Sequence, residues 1–308
     1  MTSGTVPTYH ITNFGCQMNA YDAEVMEGIL AARGWQRSEV EEEADVILYN
    51  TCVVRQTAED RAMSRLAQLR SLKRRRPDLI IGVTGCMAQK EADALLERLP
   101  HLDLVLGTRA IARLSPLLDR VLATGQPQTC VEVLDEAYPA DVIPVRQRPL
   151  KALTNIIFGC NKSCSYCIVP RTRGQEVSRP WREIIAEVEH LARHGYREIT
   201  LVGQNVNNYR QPGEGTRSFG NLLRRAGRAA AEAVPDGEAP WIRYITSHPR
   251  DCNDAHIQAV AETPNVCENF HLPVQAGSNP VLERMRRVYT REHYLDLVGR
   301  IRAAVPDA

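Results

Sequence analysis

Short apolar runs alternate with helical segments along this 308-residue chain, and this alternation limits the folds that it can adopt. In residues 1–125, apolar runs at 10–14, 45–49 and 79–83 are each followed by a segment in which apolar residues recur at helical spacing. Strands that alternate with helices form parallel sheets, because each helix carries the chain back to the edge where the next strand begins. The sequence therefore predicts an α/β domain at 1–125, with an open parallel sheet and helices on both faces.

A change in composition separates this domain from the rest of the chain. Residues 126–150 contain four prolines and little apolar periodicity, so they are predicted to form an irregular linker. Alternation resumes in residues 151–308 and predicts a partial (β/α) barrel that is incomplete. The predicted strands of this second domain are 154–158, 198–202, 241–246 and 270–274.

Composition and charge exclude several classes of protein. A hydrophobic content of 44% and a charged content of 24% allow a sizeable core and exclude a disordered chain. The net charge of +1 provides no uniform attraction to nucleic acid. Because no apolar run is long enough to span a membrane and no secretory signal pattern occurs, we expect a cytoplasmic protein. In that reducing compartment, nine cysteines indicate metal binding, catalysis or burial.

Three cysteines each come directly after a predicted strand of the first domain. Cys16, Cys52 and Cys86 end the runs ITNFGC, VILYNTC and IIGVTGC. The carboxyl ends of parallel strands lie along one edge of a sheet, so these thiols can converge. Three thiolates suit an iron-sulfur cluster with one open iron, whereas a structural zinc site needs a fourth ligand. Burial of each cysteine as a small apolar residue is the plainer alternative.

A second group of cysteines is closely spaced in the sequence. FGCNKSCSYCIVP places Cys160, Cys164 and Cys167 in a C-x3-C-x2-C pattern just after the first strand of the second domain. A loop with this spacing can bind three irons of a cubane and leave the fourth iron open. Zinc again lacks a fourth ligand, and a CxxC redox pair leaves Cys160 unexplained.

The C-x3-C-x2-C pattern with Tyr166 before its last cysteine resembles the signature of the radical S-adenosylmethionine (radical SAM) enzymes. Among these, the chain resembles the methylthiotransferases, and most closely the MiaB-type tRNA enzymes. The motifs that carry the resemblance are NFGCQMNAYDAE, NTCVVRQTAEDR, GVTGCMAQ, FGCNKSCSYCIVPRTRGQEVSR, LVGQNVNNY, ITSHPRD and HLPVQAGS. Related branches share the six cysteines but differ in the residues around them, and FGCQMN with NTCVVR is typical of the MiaB type.

The resemblance implies methylthiolation of C2 of N6-isopentenyladenosine at position 37 of the tRNA anticodon stem loop. It implies two 4Fe-4S clusters, an auxiliary one on Cys16, Cys52 and Cys86 and a radical SAM one on the second group. S-adenosylmethionine is the further cofactor, and no side chain acts as a catalyst because the clusters carry the chemistry. The electron donor is not implied, and we expect a monomer. A ribosomal-protein aspartate methylthiotransferase and a non-catalytic iron-sulfur fragment are the alternatives.

Other candidate residues follow the strands or the cysteine loop. Tyr166, Gln204, Asn205, Gln275 and Ser278 are predicted to contact S-adenosylmethionine or substrate, with loop capping as the alternative. Arg171, Arg173 and Arg179 are predicted to contact RNA phosphates. At position 171 the family has an aromatic residue instead. The resemblance also implies a C-terminal RNA-binding β-barrel after this region, and we expect residues 1–308 to lack it.

Overall fold

The computed structural model divides the chain into two compact units. The first unit comprises Met1–Gln147 and Arg171–Arg173, and the second comprises Arg148–Pro170 and Gly174–Ala308. The structure describes residues 6–134, 138–139, 142–213 and 218–308.

A six-stranded parallel sheet forms the centre of the first unit. Its strands are β1 (Thr8–Asn13), β2 (Gln36–Arg37), β3 (Val46–Thr51), β4 (Ile80–Gly85), β5 (Leu104–Leu106) and β6 (Gln128–Cys130). Their order across the sheet is β2-β1-β3-β4-β5-β6. The chain moves first to one side of β1 and then to the other, which creates a switch point between β1 and β3. Open parallel sheets bind ligands at the carboxyl edge beside such a point.

Helices cover both faces of this sheet. They are α1 (Gln17–Ala32), α2 (Gln56–Arg75), α3 (Cys86–Glu91), α4 (Ala94–Arg98) and α5 (Leu114–Thr124). All side chains of β3 and β4 are buried, as expected for the central strands of a covered parallel sheet. Residues of α2 to α4 pack with Ile47, Tyr49 and Ile81 in one apolar cluster, while α1 and α5 contact each other and the strands β1, β3 and β5. This arrangement confirms the predicted fold of the first domain.

A four-stranded sheet forms the centre of the second unit. Its strands are β7 (Lys151–Phe158), β8 (Val177–Ser178), β9 (Glu198–Gly203) and β10 (Trp241–Tyr244). They lie in the order β10-β9-β7-β8. β7, β9 and β10 are parallel, and β8 pairs antiparallel with β7. The carboxyl ends of the three parallel strands therefore share one edge, as in a partial (β/α) barrel.

The sequence sets several helix boundaries in this half of the chain. The helices are α6 (Val169–Thr172), α7 (Trp181–Arg193), α8 (Phe219–Glu232), α9 (Asp254–Glu262), α10 (Asn279–Arg284) and α11 (Arg291–Ala304). Asn253 caps α9 and Thr290 caps α11, because each side chain accepts a hydrogen bond from a backbone N–H of the first turn. Apolar residues of α7 and α8 pack with those of β7, β9 and β10 in one buried cluster.

The predicted strand at 270–274 is wrong. Only the segment before it joins the sheet among the described residues, through a single parallel bridge between Ile242 and Val266. Thr246 has a φ of +69°, so the chain turns away soon after β10. Pro273 also lacks the N–H that a strand ladder requires.

The linker predicted at 126–150 is wrong in part. Gln128–Cys130 pairs with β5 as the edge strand of the first sheet. Further along, Val145 N donates a hydrogen bond to the Glu24 carbonyl in α1 at 2.9 Å, so this stretch packs on the first unit. Residues 135–137 and 140–141 of the predicted linker lie outside the described residues.

Replacement of Gly85 should test whether the turn after β4 needs glycine. Gly85 has a φ of +88°, and an added Cβ would lie 2.5 Å from both Asn50 Oδ1 and the Thr51 carbonyl oxygen. We expect Gly85→Ala to lower the free energy of unfolding by about 3 kcal/mol, because backbone strain and overpacking add. Gly125, at a φ of +64° with nothing within 4 Å of an added Cβ, provides the control. Gly125→Ala should cost about 1 kcal/mol in urea unfolding, and equal costs would contradict this account.

Candidate metal centres

The three early cysteines lie at the carboxyl edge of adjacent strands. Cys16 precedes the first residue of α1, Cys52 directly follows β3, and Cys86 is the first residue of α3 after β4. The ends of β1, β3 and β4 are paired in register, so the chain leaves the sheet at neighbouring points. The structure therefore brings these residues together beside the switch point of the sheet.

Two buried asparagines hold the first two cysteine loops together. Asn19 in α1 and Asn50 in β3 have no exposed surface. Asn19 Nδ2 donates to Asn50 Oδ1 at 3.1 Å and to the Thr51 carbonyl at 3.0 Å, and Asn50 Nδ2 donates to the Asn19 carbonyl at 2.6 Å. Cys16 Sγ lies 3.2 Å from Asn19 Oδ1. Because a buried amide without partners costs about 1–3 kcal/mol, this network fixes the start of α1 against the end of β3.

Hydrogen bonding and burial give the three thiols different acidities. A hydrogen bond with Cys52 lowers the pKa of Cys16 to about 6. The same hydrogen bond, together with burial, raises the pKa of Cys52. Burial also raises the pKa of Cys86, against the opposing charge of Arg173. A thiol and a thiolate that share a proton lose it when a metal binds, because cysteine binds metals as the thiolate.

A buried ion pair lies beside these thiols. Arg173 is 3% exposed, and its Nη2 donates to Asp22 Oδ2 at 2.7 Å. Tyr138 OH donates to Asp22 Oδ1 at 2.5 Å. The prediction that Arg173 contacts RNA is therefore wrong, because a buried side chain that is paired with a carboxylate does not reach a phosphate.

The donor set of the first unit fits an iron-sulfur cluster. Three cysteines supply thiolate ligands, and Arg173 Nη1 is a buried donor without a hydrogen-bond partner in the described part of the chain. Such a donor is costly unless an acceptor is present, and cluster sulfurs accept hydrogen bonds. Cys16, Cys52 and Cys86 are the residues that would hold the cluster.

Alkylation of the metal-free, reduced chain should distinguish Cys16 from Cys52. The pKa of Cys16 is lowered to about 6, so its thiolate is present above pH 6 and is lost as the pH falls below that value. The pKa of Cys52 is raised, so its thiol stays protonated at neutral pH. We expect iodoacetamide to modify Cys16 about tenfold faster at neutral pH, as measured by peptide mass spectrometry. Cys130, which is partly exposed, serves as the reference, and equal rates at Cys16 and Cys52 would refute the shared proton.

The second cysteine group occupies the loop after β7. Cys160 N donates to the Gly174 carbonyl at 3.2 Å, and Cys167 N donates to the Cys164 carbonyl at 3.0 Å. Gly159 has a φ of +64°, and an added Cβ would collide with the backbone of Gly174, so this turn needs glycine. Burial raises the pKa of Cys160 to about 11 and also raises that of Cys167. A metal that binds here must displace these protons.

A buried polar chain connects this loop to the strand ends. Lys162 Nζ lies 2.6 Å from Asp251 Oδ2, and the Asp251 side chain has no exposed surface. Asn205, which follows β9, donates from Nδ2 to the same oxygen at 2.8 Å. The buried carboxylate thus fixes both the cysteine loop and the first residues after β9.

Several buried polar atoms at these strand ends have no hydrogen-bond partner among the described residues. They are Oε1 and Nε2 of Gln204, Oδ1 of Asn205, Oγ of Ser247, Nε2 of His248 and Oε2 of Glu176. Buried polar groups normally have partners, so these atoms fit a polar ligand. The amino, carboxylate and hydroxyl groups of S-adenosylmethionine have the complementary chemistry. Two of the predicted cofactor contacts, Gln204 and Asn205, belong to this set.

The other predicted cofactor contacts lie on exposed surface. Tyr166 is 51% exposed. Gln275 is exposed and has a φ of +69°, a left-handed conformation that is uncommon for a residue with a Cβ. Ser278 precedes α10, and its carbonyl accepts a hydrogen bond from Leu282 N. The roles of these three residues stay predictions.

The three predicted RNA contacts differ in exposure. Arg171 is exposed, whereas Arg173 is buried. Arg179 is 21% exposed, and its Nη1 donates to the Asn155 carbonyl at 2.7 Å and to Glu187 Oε2 at 2.8 Å. Arg179 therefore joins β7 to α7, and Arg171 is the best placed of the three to reach a phosphate.

A cavity of about 630 Å³ adjoins the cysteine loop of the second unit. Asn161 and Lys162 of the loop line it, together with Arg210, Arg250 and Glu176. Burial raises the pKa of Glu176. The volume and the polar lining suit a charged small molecule.

Two features do not occur in the part of the chain that the structure describes. No three His, Cys, Asp or Glu side chains there are arranged to hold a single metal ion, an arrangement that a cubane does not need because each cysteine binds a different iron. No helix there has the length and apolar character to cross a membrane.

Sequence reasoning missed the polar residues that hold the cysteines in place. Asn50 interrupts the apolar run VILYNT, and Asn19 and Asp22 lie on a helix that is buried from Met18 to Leu30 except at Ala20. A polar residue at a position that the helix or strand pattern places inside was the signal for each. Buried polar groups require partners, and those partners hold the neighbouring loop.

Two protein families match separate parts of the chain. Residues 8–107 match Uncharacterized protein family UPF0004, and residues 154–307 match the Radical SAM superfamily. The chain is also similar to the radical S-adenosylmethionine methyltransferase TsrM from Kitasatospora setae with tryptophan and a SAM analog bound, with a TM-score of 0.66 and 15% identity over 97% of this chain and 66% of that one. A second TsrM structure, with cobalamin and a 4Fe-4S cluster bound, has a TM-score of 0.67 and 15% identity over 98% of this chain and 68% of that one. The two structural likenesses confirm the predicted fold class. The family match over residues 154–307 makes the class that of a radical SAM protein.

Curated relatives are far more similar in sequence to this chain than the two TsrM structures are. A tRNA-2-methylthio-N(6)-dimethylallyladenosine synthase from Symbiobacterium thermophilum is 46% identical over 98% of this chain and 65% of its own length. One from Carboxydothermus hydrogenoformans is 45% identical over 97% of this chain and 67% of its length, and one from Bacillus cereus is 44% identical over 99% and 59%. The chain thus spans about three fifths to two thirds of the length of these relatives.

The chain belongs to the radical SAM superfamily and, within it, to the family of tRNA-2-methylthio-N(6)-dimethylallyladenosine synthases. This confirms the resemblance predicted from the cysteine motifs. Membership of the family implies 4Fe-4S clusters and S-adenosylmethionine as cofactors.

Proposed function

We propose that this chain carries the catalytic region of a methylthiotransferase that modifies C2 of N6-isopentenyladenosine at position 37 of tRNA. The observation that carries the proposal is the placement of two cysteine groups, each at the carboxyl edge of a parallel sheet. The relatives whose names state a tRNA-modifying activity are 44–46% identical to the chain. A tRNA substrate accords with a cytoplasmic location.

Each cysteine group holds one 4Fe-4S cluster in this proposal. Cys160, Cys164 and Cys167 leave one iron without a protein ligand, which is the position for S-adenosylmethionine. When bound, the cofactors supply one-electron cleavage of S-adenosylmethionine in the second unit and the sulfur to be inserted in the first. An external reductant supplies the electron.

The residues of the chain itself bind and orient the reactants. Gln204 and Asn205 offer amide atoms that have no partner among the described residues to the polar groups of S-adenosylmethionine, while Asp251 keeps Asn205 in place. Tyr166 exposes an aromatic ring beside the cysteine loop for the adenine, and Gln275 and Ser278 add contacts from the strand-exit side.

The RNA is held by exposed cations in this proposal. Arg171 is the candidate, because it is exposed and follows the cysteine loop closely in the sequence. A phosphate contact of this kind positions the RNA without reading its sequence. Selection of the anticodon stem loop then depends on the base presented to the site.

Two triple variants test which cysteine group is needed for each reaction. The wild-type chain, reconstituted anaerobically, should bind about eight irons, and each triple Cys→Ala variant should bind about four. Loss of Cys160, Cys164 and Cys167 should abolish 5′-deoxyadenosine formation from S-adenosylmethionine and dithionite. Loss of Cys16, Cys52 and Cys86 should leave 5′-deoxyadenosine formation intact. It should abolish the formation of methylthioadenosine, because the sulfur site is removed.

Mass spectrometry of the nucleosides provides the readout for these variants, and Cys130→Ala is the matched control that should retain both reactions. An iron-loaded wild-type chain that makes no 5′-deoxyadenosine would instead be a non-catalytic iron-sulfur protein. Isopentenylated and unmodified anticodon stem loops should be offered alongside ribosomal peptides. Methylthiolation of a peptide aspartate, with none of the RNA, would replace the tRNA proposal with the ribosomal one.

A further inference from the structure

Arg287 is a buried cation beside the cysteine loop of the second unit. Its residue surface is 5% exposed. Its Nη1 donates to Cys164 Sγ and to Tyr166 OH, both at 3.4 Å. Its Nε donates to Tyr289 OH at 3.3 Å, and the guanidinium lies 5.3 Å from the centroid of that ring. Its Nη2 donates to the Pro273 carbonyl at 3.5 Å, so the side chain is held from several sides.

The partners of Arg287 are sulfur, phenol and carbonyl groups. Within the described residues, no Asp or Glu carboxylate pairs with it. A buried cation without a counterion is strongly destabilising. Cys164 Sγ, at 3.4 Å from Nη1, is the ligand sulfur at hydrogen-bond distance. A cluster on three thiolates carries net negative charge and meets this requirement.

The backbone on both sides of Arg287 is strained. Arg286 has a φ of +56° and Val288 has a φ of +59°. Left-handed conformations at residues with a Cβ cost on the order of 1–3 kcal/mol each and persist where the surroundings demand them. Val288 is 62% exposed, so burial of its own side chain does not compensate for the strain. The left-handed conformations of Arg286 and Val288 turn Arg287 inward, while both of these neighbours stay exposed.

The same turn also binds the backbone of the cysteine loop. Ser165 N donates to the Met285 carbonyl at 3.1 Å, and Ser165 Oγ donates to the Arg284 carbonyl at 2.9 Å. The turn from 284 to 289 therefore contacts three consecutive loop residues, 164 to 166, through backbone and side chain.

We propose that Arg287 is a positioning residue for the cluster of the second unit, which holds Cys164 and Tyr166 in place and makes reduction of the cluster easier through a charged N–H···S hydrogen bond. This inference rests on the proposed function, because it presupposes a cluster on the second cysteine group. A cation and a donor at a ligand sulfur stabilise the reduced cluster, which carries one more negative charge than the oxidised one.

The test uses the full chain, reconstituted anaerobically, and the EPR signal that responds to S-adenosylmethionine. Arg287→Met removes the charge and the donors at similar length. The ratio of reduced to oxidised cluster at one fixed solution potential should fall about tenfold, which is about 59 mV for a one-electron couple. Arg286→Met removes the same charge from the exposed neighbour in the same turn and should leave the ratio unchanged. Arg287→Lys keeps the charge but not the forked donors and should give an intermediate ratio.

Iron content, EPR g-values and circular dichroism accompany each titration. Wild-type values of the ratio, the g-values and the iron content in Arg287→Met would overturn the inference. If Arg287→Met does not fold, Arg287→Lys decides the matter: a lowered ratio supports the inference, and a wild-type ratio with wild-type g-values overturns it. A wild-type chain without a signal that responds to S-adenosylmethionine would overturn the proposed function itself, so the two failures are distinguishable.

Discussion

Parallel pairing of β1, β3 and β4 in a common register is the constraint on which the first metal centre depends. Each strand delivers its next loop to the same edge of the sheet, so cysteines separated by more than 30 residues in the sequence become neighbours. The strand order adds a switch point between β1 and β3, where two loops leave in opposite directions. The second sheet applies the same geometry to a single loop after β7, in which three cysteines are already close in sequence.

Buried polar side chains hold the loops that leave these sheet edges in fixed positions. In the first unit, Asn19 and Asn50 bond to each other across the cysteine loops, and in the second unit Asp251 binds both the loop and the residues after β9. Each unit also places one buried arginine near its thiols, Arg173 in the first and Arg287 in the second. The chain as a whole has a net charge of only +1, so these cations act locally, where burial strengthens their effect on thiolates.

Most of the fold could be predicted because it follows from local periodicity. Alternating strands and helices indicated both sheets, and the position of each cysteine after a strand indicated which edge it occupies. The strand predicted at 270–274 is wrong because Pro273 and the turn at Thr246 prevent ladder formation in this apolar run. The edge strand β6 was missed because three residues carry too little periodicity to be recognised.

The sequence by itself determined the class of chemistry, because the cysteine ligands and their spacing can be read directly from it. It also determined where the helices and most strands lie, because their apolar periods are local. Only the tertiary structure decided which polar residues hold the cysteines and which arginines are free to meet solvent. Arg171 and Arg173 stand two positions apart with the same side chain, yet one is exposed and the other is buried against Asp22. That difference arises from contacts between residues far apart in the chain, which no local pattern records.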